Sequence, residues 1–240
     1  GLVVARGSRD GNMNAFRRAN GGDDIYAQEN YPRKEVVNSF GVPDHFLYRY
    51  ALQKLQQQKQ PFMATLLSIS NHPPYVIPEW FHANSEEEEL QIVEYADDAL
   101  RIFFKQAAEQ PWYGNSVFVL LGDHGKLTGS PECEMPQCLN HIPLIIYAPG
   151  LAPEEIDSWC MQMDVQPTLL SLLGIRAEQE HFGQNILQKP RSMALYTADN
   201  MIGARSDGHL YIYEPGTGTE WFYKSAADNN VVYCEEPDST

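Results

Sequence analysis

Three short apolar runs constrain the fold of this 240-residue chain more than any other feature. They are FMATLLSIS (Phe62 to Ser70), SVFVLLG (Ser116 to Gly122) and IPLIIYA (Ile142 to Ala148). Each is almost continuously apolar and bounded by turn residues, a pattern that suits strands covered on both faces. Helical patterns lie between and around them. From Asp44 to Gln58, Leu47, Ala51 and Leu55 recur at four-residue steps until Pro61. Ser85 followed by four glutamates predicts a helix start, with Ser85 as N-cap and the acids at the positive end of the helix dipole. Leu90, Val93, Leu100, Phe103 and Ala107 are then expected on its buried face, with Pro111 as the stop. DVQPTLLSLLG (Asp164 to Gly174) reads as a further helix, with Pro167 tolerated near its start and Gly174 past its end. Helices alternating with buried strands imply an α/β class with a mainly parallel sheet flanked by helices. In the tail, MALYTA, MIGAR, HLYIY and EWFYK are separated by turn signals and read as a small antiparallel appendage. The expected plan is an α/β portion over residues 1–190 and an antiparallel appendage of the same domain over 191–240.

Composition narrows the function classes. A hydrophobic fraction of 43% supports one sizeable core or two small ones. The formal net charge of -15 argues against nucleic acid as a partner, because neutralising phosphates needs a basic surface. No apolar run is long enough to span a bilayer, which takes about 18 residues or more. The opening GLVVA is too short for a signal-peptide core, so an exported or anchored protein would carry that part outside this sequence. Cys133 and Cys138 are compatible with a local disulfide or with free thiols, and no further soft ligands lie near them to complete a zinc knot.

The string VFVLLGDHGK carries the chemistry. A buried strand runs out into Gly122-Asp123-His124-Gly125, and in open α/β sheets ligands gather at strand ends of this kind. A carboxylate and an imidazole placed there can meet a divalent cation in a tight turn. In the alternative reading, Asp123 caps a backbone group and His124 faces water. SNHPPY sets His72 just after one apolar run, and NHIPLIIYAPG sets His141 just before another. Four ionisable groups flanking buried strands point to a shared role. In a parallel sheet, however, His141 would reach the others only if the loop before it folded back.

GDHG after an apolar strand, followed by NHIPLIIYAPG and MDVQPTLLSLLGI, resembles the C-terminal half of the sulfatase-like branch of the alkaline phosphatase superfamily. SNHPPY and the GNMNAF and RANGGDD segments resemble, in particular, the lipoteichoic acid synthase group of membrane-anchored phosphoglycerol transferases. The resemblance runs from about Gly11 to about Tyr223. It implies a divalent metal (manganese or zinc, with magnesium or calcium as further options) held partly by Asp123 and His124. It also implies a substrate contact and catalytic role for His72, a catalytic role for His141, and a substrate-contacting region around Arg17 and Arg18, of which Arg18 is the candidate.

The family's nucleophile and its upstream acidic ligand have no counterpart before His72, and Ser8 and Ser39 sit in unsuitable loops. The expectation is therefore a C-terminal portion lacking the nucleophile, whose missing N-terminal half would be its partner. The implied activity is transfer of a phosphoglycerol or related head group from a phospholipid or on to an envelope glycopolymer. The place would be the extracytoplasmic face of the membrane, with the anchor outside this chain. A sulfatase or phosphodiesterase on the same scaffold, and a non-catalytic envelope module, are the alternatives.

Overall fold

A computed structural model of the chain describes residues 2–4, 7, 13–22, 24–127, 129–178, 180–225 and 232–234. The chain divides into two compact units, Gly1–Ser116 and Val117–Thr240.

In the first unit, strands β1 (Leu2–Val4), β2 (Ile25–Tyr26) and β3 (Thr65–Leu67) form a parallel sheet in the order β2-β1-β3. Only the centre of the apolar run beginning at Phe62 enters this ladder. Helix α1 is Met13–Ala19 and helix α2 is Asp44–Leu55. The four-residue stripe of α2 is buried as its spacing requires, with Leu47, Ala51 and Leu55 packed inward. Leu47 and Ala51 join Tyr31, Val42, Phe46 and Ile69 in one cluster. Helix α3, Glu88–Ala107, begins two residues later than its sequence suggests and has Glu87 as N-cap. Ser85 instead donates its hydroxyl to Glu94, which also accepts the Asn84 and Ser85 amides. The buried face of α3 is Ile92, Tyr95, Ala99, Phe103 and Ala107, whereas Leu90 and Val93 are half-exposed. The predicted face is thus correct only in its last two turns. Glu94 bonds back to the preceding loop, and Leu90 and Val93 face solvent.

In the second unit, β4 (Phe118–Leu121) and β5 (Leu144–Tyr147) pair antiparallel, with Leu121 opposite Leu144 and Phe118 opposite Tyr147. Helix α4 is Gln137–Asn140 and α5 is Val165–Leu172. Strands β6 (Met193–Ala198), β7 (Met201–Ser206), β8 (His209–Glu214), β9 (Thr219–Ser225) and β10 (Val232–Cys234) form an unclosed antiparallel meander. Leu210, Ile212 and Tyr223 on this sheet enclose Met135, which is 1% exposed.

The expected mainly parallel sheet is corrected. Parallel pairing is confined, among the described residues, to the three short strands of the first unit, and antiparallel ladders predominate. The physical reason lies in the connection from β4 to β5. A parallel pair needs a crossover, usually a helix running back along the sheet. Between Leu121 and Leu144 the described chain forms only the four-residue helix α4.

Candidate active site

The antiparallel pairing decides where the candidate residues of the second unit lie. Asp123 and His124 leave the end of β4, and His141 and Ile142 lead into β5 at that same end of the ladder. The loop approach that a parallel sheet would have demanded is unnecessary. A backbone bond ties the two segments together, with the Gly125 N–H donating to the Leu139 carbonyl at 2.9 Å. Gly125 permits this approach because a Cβ there would lie 1.9 Å from the Cys138 carbonyl oxygen. Gly122 is close-packed as well, its ideal Cβ position lying 3.3 Å from that of Ile142.

Within the turn, Asp123 Oδ1 accepts the His124 amide at 2.9 Å, and both side chains reach water, at 77% and 71% exposure. Asp123 Oδ2 lies 3.9 Å from His124 Nε2. The other ring nitrogen is committed: His124 Nδ1 is 2.7 Å from the Gly125 carbonyl, which can only accept. Nδ1 therefore carries the hydrogen, and Nε2 of the neutral ring presents its lone pair outward. The capped, water-facing version of this turn is the one the geometry realises.

Two residues that the sequence reading passed over hold this turn. Gln162 donates through Nε2 to the Gly122 carbonyl at 3.2 Å and to the Asp123 carbonyl at 3.0 Å. Gln162 is itself set by Asp164, which is fully buried and accepts the Met161 and Gln184 amides and both arms of Arg191. Burial alone would raise the Asp164 carboxyl, but the Arg191 bonds and the backbone donors outweigh it and hold the group below its ordinary value. Asp164 stands in MDVQPTLL, so its motif was visible; its partner Arg191, far along the chain, was not.

His141 caps α4, donating its amide to the Gln137 carbonyl at 2.8 Å, and its side chain is exposed. Gln137 is fixed in turn by Tyr196 on β6, with a 2.8 Å bond from Gln137 Nε2 to the Tyr196 oxygen. A groove of about 1810 Å³ opens beside His141, Gly125 and Lys126 and runs to Trp159, Tyr196 and Arg205. Its lining sets Lys126, Arg191 and Arg205 against Glu132, Glu154, Asp157 and Asp207, so it is near neutral on a strongly acidic chain.

Cys133, Cys138 and Cys160 are free thiols. Burial pushes the Cys133 thiol up to about 11, so it is no nucleophile at neutral pH.

His72 and Arg18 belong to the first unit. His72 is exposed, and its Nδ1 lies 2.6 Å from the Pro73 carbonyl, which fixes the same tautomer as at His124. Arg18 is an exposed residue of α1. The Arg17 side chain, Ser8 and the start of the GNMNAF segment lie outside the described residues.

The expected metal does not fit this arrangement. Among the described residues no group of three or more His, Cys, Asp or Glu side chains is placed to hold an ion, so Asp123 and His124 are not part of a ligand set here. The pair is short of a third donor: His141 shares the end of the ladder without joining Asp123 and His124 as a ligand.

A scaffold of helices and open antiparallel sheets, with an Asp-His turn at a strand exit and a buried Asp at the start of the following helix, defines a class of protein. The Sulfatase family model matches residues 5–175, and the chain belongs to that family. Within it, the chain is related to lipoteichoic acid synthase-like proteins of the alkaline phosphatase superfamily. It is 28% identical over 207 residues to lipoteichoic acid synthase 1 of Bacillus subtilis, covering 77% of this chain and 32% of that protein. A solved alkaline phosphatase superfamily protein from Vibrio parahaemolyticus is 27% identical, with a TM-score of 0.84 over 99% of this chain and 60% of that one. The lipoteichoic acid synthase LtaP from Listeria monocytogenes shares the fold, with a TM-score of 0.77 at 23% identity over 99% of this chain and 64% of that one. The chain thus spans about a third of the length of that Bacillus relative and about three fifths of each solved chain.

Proposed function

We propose that the chain contributes the C-terminal portion of the catalytic domain of an enzyme that transfers a phosphoglycerol or related head group in the synthesis of an envelope polymer. The observation that carries this reading is the Asp123-His124 turn, where an exposed imidazole with a fixed tautomer presents Nε2 beside a carboxylate, next to His141 and a large groove. The likeness to lipoteichoic acid synthase 1 of Bacillus subtilis supports the substrate class.

In the proposed reaction a hydroxyl from outside this chain attacks phosphorus. Its oxygen forms the new P–O bond, and its proton passes to His124 Nε2. Asp123 stabilises the imidazolium that results. As the bond to the leaving oxygen breaks, His141 supplies the proton that oxygen needs. For His72, in the first unit, the proposed role is a contact to an anionic oxygen of the substrate. A second alcohol then takes the head group from the covalent ester, with His124 and His141 exchanging roles. The groove exceeds the usual range of about 300–1,000 Å³ for small-ligand pockets, as an elongated acceptor requires. Its near-neutral lining lowers the repulsion that the acidic chain as a whole exerts on an anionic substrate. The proposed location is the extracytoplasmic face of the membrane, with the anchor supplied by sequence outside this chain. Among the described residues no helix is long and apolar enough to cross a bilayer.

The test is turnover of a fluorescent lipid carrying a phosphoglycerol head group by the whole gene product containing this chain. His124→Ala and His141→Ala should each lower kcat by about 10²-fold or more, the contribution usual for positioned acid–base groups. Unchanged turnover in His124→Ala would refute the mechanism. Head-group release to water alone would make the enzyme a hydrolase, and binding without release would make this a binding module.

A further inference from the structure

The seven residues Asn38 to Asp44 touch the His72 turn at three separate places. At the start of the turn, Asp44 Oδ1 accepts the amides of Ile69 at 3.2 Å and Ser70 at 3.1 Å. Ser70 Oγ returns the contact by accepting the Asp44 amide at 3.0 Å. In the middle, the Phe40 ring lies over the His72 imidazole, with centroids 3.9 Å apart and planes inclined by 36°. At the far end, Asn38 Nδ2 donates to the Pro74 carbonyl at 3.1 Å. The turn itself closes through the His72 amide, which donates to the Ile69 carbonyl at 2.9 Å.

This segment is rigid for reasons visible along it. Asn38 Oδ1 accepts the amides of Phe40 at 2.9 Å and Gly41 at 3.2 Å. Gly41 adopts φ 130°, a conformation that favours glycine. Val42 is 0% exposed and Asp44 2%, so the chain on the C-terminal side of the loop is locked into the core. A rigid segment holding a turn at both ends and across its middle removes the freedom that an exposed histidine would otherwise have.

We propose that Asn38, Phe40 and Asp44 are positioning residues that hold His72 as the Nδ1–H tautomer, with Nε2 turned outward to meet a phosphate oxygen or a proton. The last clause rests on the functional reading above; the positioning does not. The Nδ1–H donates to the Pro73 carbonyl, whose own place depends on the Asn38 bond to Pro74 next to it. The Phe40 ring covers one face of the imidazole and so restricts rotation about its side-chain bonds. Histidine free in water favours hydrogen on Nε2, so the tautomer is a signature of this cradle and not a default.

The test is long-range 1H–15N correlation NMR on the 15N-histidine-labelled chain, above the imidazole titration range, with His72→Gln identifying the resonance. In the wild type, Nδ1–H should exceed Nε2–H by about fivefold, the ratio that one net hydrogen bond supports. Asn38→Asp keeps the acceptor for Phe40 and Gly41 but loses the donor to Pro74, and Phe40→Leu removes the ring. Each should move the ratio toward that of free histidine while the cooperative fold and the other histidine resonances are retained. A wild-type ratio equal to free histidine, or no change in either folded variant, would overturn the proposal. An intact tautomer signature alongside full lipid turnover in His72→Gln would instead refute the role given to His72 in the reaction and leave the cradle standing.

Discussion

Replacing Asp164 with alanine is the perturbation whose size the structure constrains best. The carboxylate is fully buried and the Arg191 side chain is 15% exposed. Two short bonds join them, 2.6 Å to Nε and 2.5 Å to Nη2, and the carboxylate also accepts the Met161 amide at 2.8 Å and the Gln184 amide at 2.9 Å. Asp164→Ala leaves a largely buried guanidinium with its carboxylate gone and two amides without their acceptor. Breaking one side of such a pair costs about 3–5 kcal/mol. The amides overlap with that figure and are not added to it, because they belong to the same network. Urea denaturation at pH 7 should therefore show Asp164→Ala losing about 3–5 kcal/mol. Adding Arg191→Met should recover part of the loss, since no orphan charge then remains. Acid adds an independent check. The native carboxyl titrates below its ordinary value, so its stabilisation is complete above that value and disappears as pH falls through the native one. The stability gap between wild type and Asp164→Asn should close over that acid window. A loss under about 1 kcal/mol in Asp164→Ala, or a double variant less stable than the single by the full cost of Arg191→Met, would refute the reasoning. The consequence reaches the site because Met161–Asp164 is the turn that carries Gln162 to the Asp123 carbonyl.

Gly125→Ala should lower thermal stability by about 1–3 kcal/mol and reduce turnover, because the added methyl meets the Cys138 carbonyl and separates the Asp123 turn from the loop before His141. Tyr196→Phe keeps the ring against Gly203 and removes the hydroxyl shared with Gln137, so denaturation should show a loss of about 0.5–1.5 kcal/mol. Burial holds the Asp44 carboxyl above its ordinary value despite hydrogen bonds from Ser70 and Ile69. A raised native value means stability that is complete below the ordinary carboxylate range and is lost as pH rises through the native one. The stability of wild type relative to Asp44→Asn should thus decline with rising pH over that range in parallel denaturation series, and a flat difference would contradict the assignment.

Features carried by neighbours along the chain were legible before any coordinates. The stripe Leu47, Ala51, Leu55 on α2 is periodic, the tail strands are separated by recognisable turns, and GDHG, SNHPPY and MDVQPTLL are contiguous strings that carry the family resemblance. Candidate histidines could be named because each abuts an apolar run. Pairing direction could not, since β4 and β5 have the same apolar character whichever way they run, and only the connection between them favours one. The metal reading failed for a related cause: residue types at a strand exit do not specify whether a third donor converges on them, and among the described residues none does. The contact that makes Gly125 obligatory, the Arg191 partner of Asp164, and the hold of Asn38, Phe40 and Asp44 on His72 all join residues well separated in sequence. Local patterning sets which segments become strands, helices and turns and which side chains stand at their ends, because those depend on a few adjacent residues. What each end faces, and hence which chemistry it can perform, is decided only when distant segments close-pack, because hydrogen-bond partners and steric limits exist only between segments already brought together.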